Sequence, residues 1–374
     1  MSDFLDKKLK ERDHKGNLRS LGNLNHLIDF YSNDYLSLAR SEKIRKKIIH
    51  DLETQQYALG ATGSRLISGN SLLLEQTEDK IAEFHHVESA LLFNSGYDAN
   101  IGLLSSVPQK GDTVICDSLI HASLIDGIKL SFANKFNYLH NDLNNLESKL
   151  KNAKGNIFIV TESIFSMDGD ATPLKDILKL SKKYGAHLIV DEAHALGIYG
   201  KNGSGIANKL GIEHEIFARI VTYGKAMGAH GAAILSSKKL KSYLINFARS
   251  FVYSTALPSH SIAHINAAYA ELASQDFPSA ISHIIKYFKK SAQHLEEKLI
   301  ESHSCIQSII IPGNQNCIET ASQIQHAGFA VKAILSPTVP VSKERIRICL
   351  HLHNTPEQID QLITALTTAI ASQN

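Results

Sequence analysis

Asp191, Glu192 and Ala193 close one apolar run, "HLIVDEA" (187–193), with His194 directly after it, and Lys225 directly follows another, "ARIVTYG" (218–224). A carboxylate, an imidazole and a primary amine at strand ends suit an aldehyde cofactor such as pyridoxal phosphate. The aldehyde needs a lysine amine for a Schiff base. The pyridine nitrogen needs a carboxylate that keeps it protonated, so that the ring acts as an electron sink. The phosphate suits backbone N–H groups at a helix start, and the ring benefits from a flat group stacked on it. The Ser95-Gly96-Tyr97 turn and His121 offer the last two.

The letters Asp-Glu-Ala-His also spell a nucleic-acid helicase signature. That chemistry requires a phosphate loop, G-x-x-x-x-G-K-[ST]. The Gly-Lys pairs here are Gly200-Lys201, followed by Asn202, and Gly224-Lys225, followed by Ala226, and neither fits. A formal net charge of +2 over 374 residues gives no basic field for nucleic acid or for an anionic membrane. No nucleic-acid partner and no membrane association are expected.

The elements that must position these residues alternate along the chain. Apolar runs occur at 89–96, 112–117, 156–163, 187–193, 218–224 and 231–237. Helical patterns lie between most of them, at 99–106, 118–131, 142–151, 172–184 and 203–210. Continuously apolar strands separated by helices predict an α/β fold, with a mostly parallel sheet covered on both faces. In such sheets ligands collect beyond the carboxyl ends of the strands. Asn94 to Tyr97, Thr161 and Glu162, Asp191 and His194, and Thr222 to Lys225 all fall at such ends.

Before these strands, residues 1–20 read as a short polar helix and arm, and 26–39 as a strand and loop. Residues 70–85 read as an amphipathic helix with Leu74, Thr77, Ile81 and Phe84 on one face. Beyond 256 the texture changes to a long helical stretch (259–301) and short strands near 305–311, 329–335 and 345–351. Thr355 and Gln358 make a capping box for a last helix, with Pro356 at its first position. The expected organisation is an arm (1–45), a large cofactor domain (46–256) and a smaller α+β domain (257–374). Hydrophobic content of 43% is that of an ordinary globular chain. The four cysteines make no C-x-x-C pair and read as reduced thiols. The charged amino terminus is unlike a signal peptide, and no apolar run is long enough to span a bilayer. A cytoplasmic protein is expected. His85-His86, and His351 with His353, form no consistent metal-ligand set, and no metal is expected.

Each chemical reading has a plain alternative. Lys225 could be a solvated surface residue, Asp191 a helix cap, His194 a satisfied core histidine and Gly96 a turn glycine. The order of the blocks argues otherwise. "SNDYLSLA" (32–39), "GATGSRLISGN" (60–70), "LLFNSGYDAN" (91–100), "DSLIHASLIDG" (117–127), "TESIFSMDGD" (161–170), "VDEAHALGIYG" (190–200), "VTYGKAMGAHGAA" (221–233) and "FVYSTALP" (251–258) together resemble the α-oxoamine synthases, fold-type I pyridoxal phosphate enzymes with an aspartate aminotransferase-like fold.

The resemblance implies catalytic roles for Lys225, His121 and Asp191: covalent attachment and proton transfer, stacking on the ring, and pairing with the pyridine nitrogen. His194 would bond the phenolic oxygen. Ser95, Gly96, Tyr97 and Thr222 would hold the phosphate, and Glu162 and Ser166 lie in the ring-pocket motif. Ser254 and Thr255 would be supplied by the opposite subunit of a homodimer. Asn33 and Arg347 would bind the amino-acid carboxylate, and Arg19 would contact substrate. A non-catalytic relative that kept the fold as a binding subunit would be expected to lose the Schiff-base lysine.

Members of this family join an amino acid to an acyl thioester with loss of carbon dioxide. "GFAVKAILSPTVPVSKERIRICL" (328–350), with Pro337-Thr338-Val339-Pro340, is most similar to the biotin-pathway branch, which takes L-alanine and a pimeloyl thioester carried on CoA or a carrier protein. Branches that use glycine or L-serine remain alternatives. Leu335 stands where some synthases carry arginine, Leu74 where many carry histidine, and His230 where serine is common. These departures bear on the acyl-chain contacts and leave the cofactor set intact.

Overall fold

A computed structural model of the chain describes residues 3–55 and 57–372. Its strands are β1 (Ile28–Asp29), β2 (Ser89–Phe93), β3 (Thr113–Asp117), β4 (Asn134–Tyr138), β5 (Ile157–Glu162), β6 (His187–Asp191), β7 (Ala218–Thr222), β8 (Ala232–Ser236), β9 (Ile306–Ile310), β10 (Phe329–Ala330), β11 (Lys332–Ile334) and β12 (Arg345–Cys349). They belong to two compact units. One comprises Leu36–Phe165 and Ala171–Ser279. The other takes the described residues up to Tyr35, the segment Ser166–Asp170 and the described residues from Ala280 onward.

The larger unit holds a seven-stranded sheet in the order β2-β8-β7-β6-β5-β3-β4. Strands β3 to β7 are parallel, and β8 runs antiparallel to both neighbours, β7 and β2. The apolar runs are continuous because both faces are covered. Leu91, Val114, Val160 and Ile220 pack on one face with the helices Gly96–Ser106, Ala122–Leu130 and Lys238–Phe247. Ile115, Ile159, Leu188 and Val190 alternate with them onto the other face, against Leu143–Leu150, Leu174–Lys183 and Ile206–Leu210. Strand β4, "NKFNY", has no apolar run to announce it. It is an edge strand with one partner, and only Tyr138 is buried.

The amphipathic helix forms at Leu72–Phe84, with Leu74, Thr77 and Ile81 buried and Ser71 as its cap. The long helical stretch is broken. Ser259–Ser274 ends before Asp276, whose carboxylate accepts from Ser279 N at 3.2 Å, and a new helix starts at Phe277 with Pro278 in its first turn. The units divide at Ser279/Ala280, whereas the expected boundary was 256/257, because the helix Ser259–Ser274 packs on Glu42–Gln55 and Leu72–Phe84.

In the smaller unit β9, β12 and β11 form an antiparallel sheet in the order β11-β12-β9. Only two residues of the expected strand at 26–39 pair, β1 with β10 in parallel. The last helix, Pro356–Ala371, carries the capping box of Thr355 and Gln358. The segment Ser166–Asp170 is tied into this unit, with Asp168 ion-paired to Arg345 and Ser308 Oγ donating to Met167 O at 2.7 Å. All four cysteines are buried and free. Among the described residues no helix is long and apolar enough to cross a membrane.

Candidate active site

The carboxyl ends of the large sheet bring the polar residues to one rim. Phe93 and Thr222 both lie opposite Ala232 across β8, so the turn after β2 meets the end of β7. Glu162 pairs in register with Asp191. At Gly96 the approach is so close that a Cβ there would sit 2.5 Å from Thr222 Cγ2. Ser95 caps the helix Gly96–Ser106, its Oγ accepting from Asp98 N at 3.1 Å. The Tyr97 side chain turns outward and donates to Asp126 Oδ2 at 2.6 Å, so Tyr97 has only its backbone N–H to offer at this helix start.

Lys225 lies in the turn between β7 and β8. Tyr223 N donates to Gly231 O and Gly228 N to Lys225 O, at 2.9 and 2.8 Å. Gly228 adopts φ +60°, and a Cβ there would meet Ala39 N at 2.1 Å, so the turn requires glycine. The Lys225 Nζ lies 2.9 Å from His194 Nε2.

Asp191 is buried, and both carboxylate oxygens are held. Oδ1 accepts from Ala193 N and Oδ2 from Asn100 Nδ2, each at 2.9 Å. Asn100 Nδ2 also donates to Ser123 Oγ at 2.9 Å, and Ser123 Oγ lies 2.7 Å from His121 Nδ1. The His121 N–H donates to Glu162 Oε1 at 2.6 Å. Burial pushes the Glu162 carboxyl up to about 8, and the Asp191 charge adds to this.

The chain has counterparts among known proteins. The sequence matches the family described as aminotransferase class I and II over residues 25–366. The chain belongs to that family. An 8-amino-7-oxononanoate synthase of Emericella nidulans is 38% identical, over 98% of this chain and 95% of its own length. A solved 8-amino-7-oxononanoate synthase from Francisella tularensis has a TM-score of 0.81 at 29% identity, covering 93% of this chain and 99% of that one. A serine palmitoyltransferase from Sphingomonas wittichii has a TM-score of 0.86 at 26% identity, covering 92% and 88%. Within the class I and II aminotransferases the chain is a fold-type I, α-oxoamine synthase-like acyltransferase whose cofactor is pyridoxal 5′-phosphate.

The rim fits that cofactor. The Thr222 hydroxyl is buried without a hydrogen-bond partner beside the helix start at Gly96, where a phosphate would supply acceptor oxygens. Asp191 offers a buried carboxylate already oriented by two donors. In this aminotransferase-family chain Glu192, the neighbouring acid, does different work. It is fully buried, its Oε1 accepts from Ile206 N and Ala207 N at 2.7 and 3.0 Å, and its Oε2 pairs with Arg219 at 2.9 Å. The glutamate of the helicase-like letters is thus a scaffold residue. Sequence reasoning left it without a role, and it assigned none to Asn100 or Ser123 either.

Ser254 and Thr255 lie in the same unit as Lys225. Thr255 O accepts from Asn94 Nδ2 at 2.8 Å, next to the Ser95 turn. The remaining expected residues belong to the smaller unit. There Arg347 Nη2 donates to Asn33 Oδ1 at 3.0 Å, and Tyr35 OH donates to the same oxygen at 3.0 Å, so Asn33 and Arg347 are brought together. Arg347 Nε is buried without an acceptor. Arg19 is exposed, and no hydrogen bond or ion pair among the described residues joins it to that pair. Ser166 lies in the segment tied to β9 and β12. His351 and His353 gain a neighbour that the sequence does not suggest, Asp29. The His351 ring nitrogens face Asn354 Oδ1 and Ser32 O, each at 3.0 Å, so this histidine acts as a hydrogen-bonded staple on the amino-terminal segment.

Proposed function

We propose that this chain condenses L-alanine with a pimeloyl thioester, releasing carbon dioxide and the free thiol and forming 8-amino-7-oxononanoate for biotin synthesis. The observation that carries this reading is the 38% identity to a synthase of that name over 98% of the chain.

When bound, pyridoxal phosphate supplies an aldehyde for the amino group and a ring that accepts electrons. The chain's own groups do the rest. Lys225 Nζ is the covalent attachment point and, once displaced by substrate, the base that takes the Cα proton. His194, 2.9 Å from that nitrogen, orients it and meets the phenolic oxygen. Asp191 keeps the pyridine nitrogen protonated through charge proximity. His121 covers the ring face, and Glu162 anchors the His121 backbone. Ser95, Gly96, Tyr97 and Thr222 take the phosphate, with Ser254 and Thr255 of a second subunit completing the site in a homodimer. Ser166 belongs to the ring pocket. Arg347 and Asn33 hold the amino-acid carboxylate, a geometry that a guanidinium fork matches, and Arg19 contacts substrate.

The test is the visible absorption spectrum of the purified protein, titrated in turn with L-alanine, glycine and L-serine, followed by mass analysis of the product formed with pimeloyl-CoA. A spectral response preferring L-alanine, with the expected aminoketone, supports the reading. A preference for glycine or L-serine moves the chain to another branch, and failure to take up the cofactor revives the binding-subunit alternative.

A further inference from the structure

Asp191 and His121 approach the proposed cofactor from different elements, β6 and the start of the helix Ala122–Leu130, and a single chain of side chains joins them. An ionised carboxylate only accepts hydrogen bonds. Asp191 Oδ2 therefore dictates that Asn100 presents Nδ2 and not Oδ1, at 2.9 Å. The second hydrogen on that nitrogen is donated to Ser123 Oγ, also at 2.9 Å. Ser123 is thereby an acceptor towards Asn100, which leaves its own hydroxyl hydrogen for His121 Nδ1 at 2.7 Å. The Ser123 backbone N–H donates to the same nitrogen at 3.2 Å. With two donors aimed at it, His121 Nδ1 is an acceptor, and the ring proton belongs on Nε2.

We propose that Asn100 and Ser123 are positioning residues that couple Asp191 to His121 and hold His121 as the neutral tautomer with its proton on Nε2. The consequence rests on the function proposed above. His121 offers an N–H donor on the side away from Ser123, available to the carbonyl oxygen of the thioester, and stays uncharged while it stacks. Both relay residues are almost completely buried, so water does not compete for these bonds. Desolvation lowers the His121 titration, with the charges of Asp191 and Asp126 opposing and that of Lys225 adding to the effect. Asn100 Oδ1 is buried without a partner. The side chain thus accepts an unsatisfied oxygen in order to keep both donors on the relay.

The experiment is a nitrogen-15 NMR titration of the holoenzyme labelled at histidine, with His121→Asn to identify the signal. In the wild type His121 should titrate below the ordinary histidine range, with the neutral form protonated on Nε2. Ser123→Ala removes one donor from the neutral ring, so the titration should rise by roughly half to one pH unit. The acid limb of the kcat/KM profile should move the same way. Ser123→Thr, which keeps the hydroxyl, should restore both. Asn100→Ala should shift His121 in the same direction, and little further in the Ser123→Ala background, because the two act in series. An unchanged titration and tautomer in Ser123→Ala, or fully additive shifts, overturn the relay. Should Ser123→Ala not fold, Asn100→Ala carries the same test. A wild type that shows the titration but makes no product from L-alanine and pimeloyl-CoA defeats the proposed function and leaves the relay standing.

Discussion

Lys225 Nζ lies 2.9 Å from His194 Nε2, although the two residues come from the turns after different strands. Adjacent strands β6 and β7 make the meeting possible, and the glycine turn at Gly228 holds the lysine there. Lys225→Ala should remove the borohydride-stable attachment of the cofactor, read by intact mass. It should also lower turnover by at least roughly 10²- to 10⁴-fold, the range of a lost proton-transfer group. Retention of either would contradict its role.

Glu162 ties pH to stability. Its folded value of about 8 lies above the ordinary 4.5. Between these values the folded chain keeps a proton that the unfolded chain releases, so this group's contribution is full below 4.5 and is lost as pH rises through about 8. In the cofactor-free protein Glu162→Gln should flatten the fall in Tm across that window. Parallel Tm curves for variant and wild type would show that the carboxyl is not the titrating group.

The neighbouring acids Asp191 and Glu192 should fail in different ways. Glu192→Gln breaks a buried ion pair with Arg219 and should cost about 3–5 kcal/mol of stability, visible as a lower urea midpoint. Asp191→Asn should lower that midpoint less, because Asn100 can turn its unpartnered Oδ1 toward the new amide, and should strike turnover. Equal midpoints for the two variants would remove the distinction.

Arg347→Ala should raise the KM for L-alanine by roughly 10- to 100-fold, the worth of a charge-assisted hydrogen bond, with a smaller effect on the thioester KM. Arg347 Nε, buried without an acceptor, is the structural reason to expect an anionic partner at that place. Steady-state kinetics with each substrate varied in turn decides it, and an unaltered L-alanine KM would take Arg347 out of substrate binding.

The sequence alone determined the α/β alternation and most strand ends, because a buried strand must be apolar and its ligand-facing end must turn polar within a residue or two. Ser95, Asp191, Thr222 and Lys225 were legible for that reason. Strand β4 was not, since an edge strand needs no apolar run. Tertiary structure alone separated Asp191 from Glu192. Successive side chains leave a strand on opposite faces, so one meets Asn100 and the other the start of the helix Ile206–Leu210. It also joined Arg347 to Asn33 across 314 positions and linked Asn100 to Ser123 and His121. Local periodicity records which face of an element is buried, not which distant donor a buried acceptor will find.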